Sequence, residues 1–190
     1  YPADPAEMNL TTIPDLADLT RIIGGDQVDV TVLVAPGSDP HSVLPKASLL
    51  LKLQRADALV CMGLDYEHAF LPALLEKVRN DAIRPGGTGW CCAADRIVPL
   101  EVPQNLDRGQ AADLHPRGNP HFNLDPERGR SMAAGVLELL VRLRPEQKEV
   151  FETRWKAWDE DAKHRIAAWT KRLAPLRGKP ITTYHRSWSY

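Results

Sequence analysis

Apolar positions recur at helical spacing in DLADLTRIIGG (15–25), at Leu16, Leu19, Ile22 and Ile23, and Gly24–Gly25 come next as a stop. The pattern then changes. VDVTVLV (28–34) is continuous and β-branched, which predicts a strand buried on both faces. APGSDPHSVLP (35–45) reads as a loop punctuated by Pro36, Gly37 and Pro40, KASLLLKLQRA (46–56) as a helix, and DALVCMG (57–63) as a second buried strand. HAFLPALLEKVRN (68–80) returns to helical spacing, and TGWCCAADR (88–96) carries another strand. MNLTTIPDL (8–16) supplies a short strand ahead of a turn at Pro14. The order is β-α-β-α-β with short connections. It predicts an α/β fold, a parallel sheet flanked by helices, with ligands at the carboxyl ends of the strands.

Residues 97–126 are loop-rich, and a helix is predicted from Pro126 to Leu143. Pro145 opens a longer one, to about Leu173. Its apolar stripe runs through Phe151, Trp155, Trp158, Ala162, Ile166, Trp169 and Leu173, one face over its whole length. Pro175 and Gly178 end it, and KPITTYH (179–185) reads as the start of a fresh strand.

Composition narrows the function. With 190 residues the chain holds one domain, or one and part of another, and 43% hydrophobic residues suffice for a core. Twenty-four basic against 25 acidic residues give a net charge of -1, which points away from nucleic acid or an anionic membrane as partner. The basic residues of 163–179 alternate with other types, as on a solvated helix face. No apolar run approaches the roughly 20 residues of a membrane span. The opening YPADPAEMNL is not a signal peptide; a secreted protein after cleavage and a cytosolic one would both read this way. Of the three cysteines, Cys61 pairs with Cys91 or Cys92 in an oxidising compartment, or all three are small buried thiols. No CxxC spacing suggests a zinc knuckle.

Six histidines carry the candidate chemistry. His164 belongs to the charged face of the long helix, and His68 to a helix start. His41 (SDPHS), His121 (NPHFN) and His185 (TYHRS) each sit at an element boundary, where a loop or strand end presents an imidazole to a shared pocket. Zinc accepts imidazole nitrogen readily and takes four ligands, whereas manganese asks for more oxygen.

Four stretches resemble the metal-specific solute-binding proteins of zinc and manganese ABC importers. IIGGDQVDVTVLVAPGSDPHSVLP (22–45) is similar to the family's opening strand and first ligand motif, with His41 in the ligand place. ADALVCMGLDYE (56–67) resembles its next strand and Gly-Leu-x-x-Glu turn. HPRGNPHFNLDP (115–126) and PITTYHRSWSY (180–190) resemble the second and third ligand motifs, at His121 and His185. The helix over 145–173 matches the rigid helix that joins two lobes.

The resemblance implies a metal-binding lobe over 1–143, a linking helix over 144–178, and the first strand of a second lobe over 179–190. It implies capture of Zn2+, with Mn2+ as the alternative, outside the cytoplasm, in a periplasmic or membrane-tethered protein freed of its signal peptide. The partner is an ABC permease, with room for a periplasmic metallochaperone, and no enzymatic activity is expected. The family's fourth ligand, an acidic residue deep in the second lobe, has no counterpart, so the chain reads as truncated. His115, His68, Glu67 or water are the substitutes. Asp39, Glu67, Asp125 and backbone carbonyls are the acceptors expected to orient the ligand rings. Two other readings stand beside this one: a zinc hydrolase, which would need a general base at the metal, and a scaffold that no longer binds.

Overall fold

A computed structural model describes residues 7–104, 115–183 and 186–190. Strands β1 (Glu7–Thr11), β2 (Val28–Val32), β3 (Ala58–Cys61) and β4 (Trp90–Cys92) form one parallel sheet in the order β2-β1-β3-β4. Leu10 lies beside Thr31 on one side and Leu59 on the other, and Leu59 beside Trp90. The chain steps from β1 to β2 and then crosses back over β1 to β3. The loops after the strands therefore part at β1, the place where open parallel sheets form a crevice.

The alternation along β3 sets the two layers. Ala58, Val60 and Met62 face a core built with α1 (Pro14–Gly24), α4 (Pro126–Leu143) and the start of α5 (Lys148–Leu173). Leu59 and Cys61 face the other side, against α2 (Ala47–Arg55) and α3 (Leu71–Lys77). Phe122, Met132, Leu139 and Phe151 are fully enclosed in the first layer, and Phe70, Leu53 and Ile83 in the second. Helix α4 starts as its sequence dictates, with Pro126 in the first turn and Asp125 Oδ1 accepting from Glu127 N at 2.8 Å.

Three elements depart from the sequence pattern. β2 is an edge strand, and of its five residues only Val30 is buried, so the β-branched run marks a strand but not two covered faces. The apolar stripe of α5 is covered only in its first half. Phe151 is buried and Trp155 and Trp158 pack on the core, whereas Trp169 is 46% and Leu173 54% exposed. The strand expected from Lys179 is not formed in the described residues 179–183. These run exposed, without the ladder a strand needs. Among the described residues no helix is long and apolar enough to cross a membrane.

Helix α5 is fixed to the layer by polar contacts. Arg154 donates to the Gly24 carbonyl at 2.6 Å and to Asp26 at 2.9 Å, closing the end of α1. Arg130 of α4 forks onto Asp159, Nε to Oδ1 at 2.6 Å and Nη2 to Oδ2 at 3.2 Å. Arg130, helped by Lys163, holds the buried Asp159 carboxyl below the usual range. A lowered acid pKa contributes stability that is fully present above the unfolded value of about 3.9 and is lost as the pH falls through the folded one. Asp159→Asn is expected to cost about 2 kcal/mol at pH 7, with the gap from wild type closing as the pH falls through the lowered carboxyl pKa in urea titrations.

All three cysteines are thiols. Cys61 and Cys92 are register neighbours on β3 and β4, so their side chains share a face, while Cys91 points into the other layer. Parallel neighbours stand about 4.8 Å apart, within the Cα separation of roughly 4.4–6.8 Å that a disulfide spans. The contact between the two thiols raises the pKa of Cys61, with burial adding to it, and lowers that of Cys92. Burial pushes Cys91 up to about 12. A mild dithiol oxidant is expected to link Cys61 to Cys92 and leave Cys91 reduced. Peptide mass mapping that found a Cys61–Cys91 link would contradict this register argument.

Candidate metal centre

Two short motifs of one design present the central imidazoles. After β2, Asp39 caps a 3-10 turn at Pro40–Ser42, its Oδ1 accepting from His41 N at 3.0 Å. Before α4, Asn119 does the same for His121, with Oδ1 3.0 Å from the main-chain N. In both, an Asx residue folds the chain onto the N–H two places on, and the proline between them fixes φ. Gly118 permits the second turn. Its φ is +106°, and a Cβ there would lie 2.8 Å from Pro99 Cβ and 2.9 Å from the Leu100 carbonyl oxygen.

The ring of His41 lies 5.1 Å from that of His115 and 5.9 Å from that of His121, centroid to centroid, and His115 and His121 are 5.7 Å apart. One nitrogen from each of the three lies within 4.8 Å of the others. A tetrahedral zinc with bonds of about 2.0–2.1 Å holds its nitrogens about 3.4 Å apart, so modest ring movements would complete such a shell. His121 is buried, at 9% exposure, and the other two are half-buried. The group sits beyond the carboxyl ends of β2 and β3, as the sheet topology requires.

The loop after β3 supplies the wall. Gly63, Leu64 and Asp65 all take left-handed backbone conformations, with φ of 85°, 51° and 62°. The last two are strained for residues with a Cβ. Glu67 offsets that strain. Its Oε1 accepts from the Thr12 hydroxyl at 2.6 Å and Met62 N at 2.7 Å, and its Oε2 from Gly63 N at 3.1 Å. It therefore ties the ends of β1 and β3 together across the crevice. Burial pushes its carboxyl pKa up, against those hydrogen bonds. Tyr66 meets His41 and His121 edge-on, at 5.2 and 5.8 Å, and burial pushes its phenol up to about 12, which keeps it neutral.

The sequence expectations divide on this geometry. His41 and His121 come together, and His115 joins them. His185 lies outside the described residues. His68 stacks on His41 at 5.4 Å on the exposed side, with its Nδ1 3.0 Å from the Asp65 carbonyl oxygen. Glu67 has both oxygens engaged by protein donors, an anchor for the loop where the sequence suggested a substitute ligand. The acceptor for the His121 ring is none of the acidic residues expected. Asn119 Oδ1 lies 2.9 Å from Nδ1. Asp39 holds a main-chain N–H, and Asp125 caps α4 and pairs with Arg128. His164 lies on the exposed face of α5.

Residues 10–190 match the family described as ZnuA, zinc-uptake complex component A, periplasmic. The chain belongs to this family. Among curated relatives, the zinc-binding lipoprotein AdcA of Streptococcus pneumoniae is 25% identical over 183 residues, 95% of this chain and 36% of its own length. The iron ABC transporter substrate-binding lipoprotein MtsA of Streptococcus pyogenes is 25% identical over 160 residues, 80% of this chain and 49% of its own. The chain thus spans between about a third and a half of these relatives. A zinc-bound deletion mutant of ZnuA superposes with a TM-score of 0.79 at 29% identity, covering 97% of this chain and 65% of its own. The manganese-bound periplasmic metal-binding protein of Candidatus Liberibacter asiaticus shares the fold, with a TM-score of 0.71 at 23% identity over 88% of this chain and 57% of its own.

Proposed function

We propose that this chain receives a divalent transition metal outside the cytoplasm and passes it to the membrane permease of an ABC importer. Zn2+ is the proposed cargo and Mn2+ the alternative. The carrying observation is the convergence of His41, His115 and His121, each with a nitrogen within 4.8 Å of the others. In this reading His41, His121 and His185 are ligands, as the motifs imply, and His115 is a further one, brought in by its nearness to His41 and His121. A shell of neutral imidazoles supports zinc over manganese, which prefers oxygen donors. Relatives with different metals in their names leave that choice to the donor set. The proposed layout is a metal-binding lobe over 1–143, a linking helix over 144–178, and the opening of a second lobe from 179. Glu67, locked by three protein donors, supports capture of the metal over hydrolysis at it, since a hydrolase needs a carboxylate or imidazole free to take a proton.

Metal uptake tests this. The chain, stripped with chelator and dialysed against equal zinc and manganese, is expected to retain one zinc and little manganese by elemental analysis. Retention of neither metal would end the proposal.

A further inference from the structure

Asn119 is 95% enclosed and every polar atom it has is engaged. Its main-chain N donates to the Leu100 carbonyl at 2.8 Å, and its carbonyl accepts from the Tyr190 hydroxyl at 2.6 Å. Its Oδ1 faces His121, 3.0 Å from the main-chain N and 2.9 Å from the ring Nδ1. Its Nδ2 faces the other way, donating to the Arg186 carbonyl at 2.6 Å, Glu101 at 2.9 Å and the Ser189 hydroxyl at 3.3 Å. The amide cannot be reversed. Turned over, its NH2 would meet the His121 N–H, and its oxygen would meet a carbonyl and a carboxylate. With Oδ1 fixed as an acceptor, His121 Nδ1 must be the donor. That leaves the lone pair on Nε2, the nitrogen then able to take a metal.

The 186–190 segment is held at a second point. The Tyr190 hydroxyl also accepts from Leu100 N at 3.0 Å, and its ring packs edge-on against Phe122 at 6.3 Å beneath the Arg128 guanidinium at 4.4 Å. Phe122 adjoins His121, so both fastenings of the segment end on the His121 turn.

We infer that Asn119 is a positioning residue that makes the seating of segment 186–190 and the tautomer of His121 a single event. When the segment is seated, three acceptors hold the amide NH2 and the oxygen is aimed at the ring. When it leaves, the amide loses those acceptors and the ring loses its fixed acceptor. Metal affinity then depends on a segment beyond the cluster. This rests on the metal reading proposed above.

Three variants test it at pH 8. In Asn119→Ala, long-range 1H–15N spectra are expected to show His121 losing its Nδ1–H form, with zinc affinity falling about 10–100-fold. Trypsin is expected to cut after the exposed Arg186 at least tenfold faster. Asn119→Asp keeps an acceptor for His121 but has no donor for the segment. It should hold the Nδ1–H form while cleavage after Arg186 quickens. Tyr190→Phe weakens the seating while leaving the Asn119 amide free to turn, so cleavage after Arg186 should quicken and the Nδ1–H form should decline with it; faster cleavage with the wild-type tautomer overturns the coupling. Circular dichroism checks that each variant is folded. An Asn119→Ala protein with the wild-type tautomer, cleavage rate or zinc affinity overturns the inference. So does a folded Asn119→Asp protein that cleaves no faster than wild type. A wild type that takes up no zinc overturns the metal reading alone, and the tautomer and cleavage measurements still decide the clamp.

Discussion

Lowering the pH from 7.5 to 5 is expected to weaken zinc binding by about ten-thousand-fold. Each imidazole must lose its proton before it can hold the metal. At an ordinary imidazole pKa of about 6.5, a free ring is about 90% neutral at pH 7.5 and about 3% neutral at pH 5, about a 30-fold change for each ring, and the expected loss counts only the three rings of the described cluster, His41, His115 and His121. The direction is fixed: protons compete for the ligand nitrogens, so affinity falls as the pH falls. Tyr66 stays a neutral phenol, its pKa pushed up to about 12 by burial, and the Glu67 oxygens are taken by Thr12, Met62 and Gly63. The fold should survive the change, because the Asp159 carboxyl remains ionised at pH 5 under the hold of Arg130. Competition with a chromophoric chelator across this range, with circular dichroism alongside, measures the effect. Affinity that stays flat to pH 5 would point to carboxylate donors, which surrender a metal only nearer pH 4.

How far the fold could be read from the chain depends on which facts were local. β3 was legible because Ala58, Val60 and Met62 alternate with Leu59 and Cys61, and a run that is apolar at every position needs cover on both faces. β2 has the same texture, yet it lies at the sheet edge. Strand order is a property of the crossover over β1, which no window of sequence contains. Helix α3 begins at Leu71 and not at His68, because three left-handed residues from Gly63 turn the chain first and Glu67 anchors it. The stripe on α5 was correct as a pattern. Its second half, with Trp169 and Leu173, has no core of the described residues to cover it.

The metal centre was half legible in the same sense. His41 and His121 stood out as boundary residues, and the family resemblance pointed to them. Asn119 was missed although its signal was present: N-P-H repeats D-P-H, and an Asx two places before a histidine makes a turn that aims the imidazole. What spacing could not show is that the carboxamide, unlike the carboxylate in the first motif, has a second end free to donate. His115 and Glu67, both offered as substitute ligands, part for a three-dimensional reason. The His115 ring is carried to within 5.1 Å of His41, while Glu67 faces three N–H and O–H donors that only the meeting of β1 and β3 assembles.

Single alanine substitutions should separate ligands from bystanders. His41→Ala and His121→Ala are each expected to weaken zinc binding at least about 100-fold, as loss of one of a few ligands requires. His185→Ala should match them if the third motif is used as the resemblance implies. His115→Ala is the decisive case. As a fourth ligand it falls with the others, and as a wall of the pocket it costs only a few-fold. The geometry favours the larger loss, because its nitrogen is no farther from those of His41 and His121 than the 4.8 Å that encloses all three. His68→Ala should stay within a few-fold of wild type. Its ring stands on the exposed side of His41, turned by the hydrogen bond to the Asp65 carbonyl. Unfolding midpoints of the metal-free variants provide the control. His41 and His115 are only half-buried, so truncating them should change stability by less than about 1 kcal/mol, far below what a loss of fold would need to mimic the binding defect. Equal zinc affinity across the whole series would mean that the metal, if held at all, sits elsewhere.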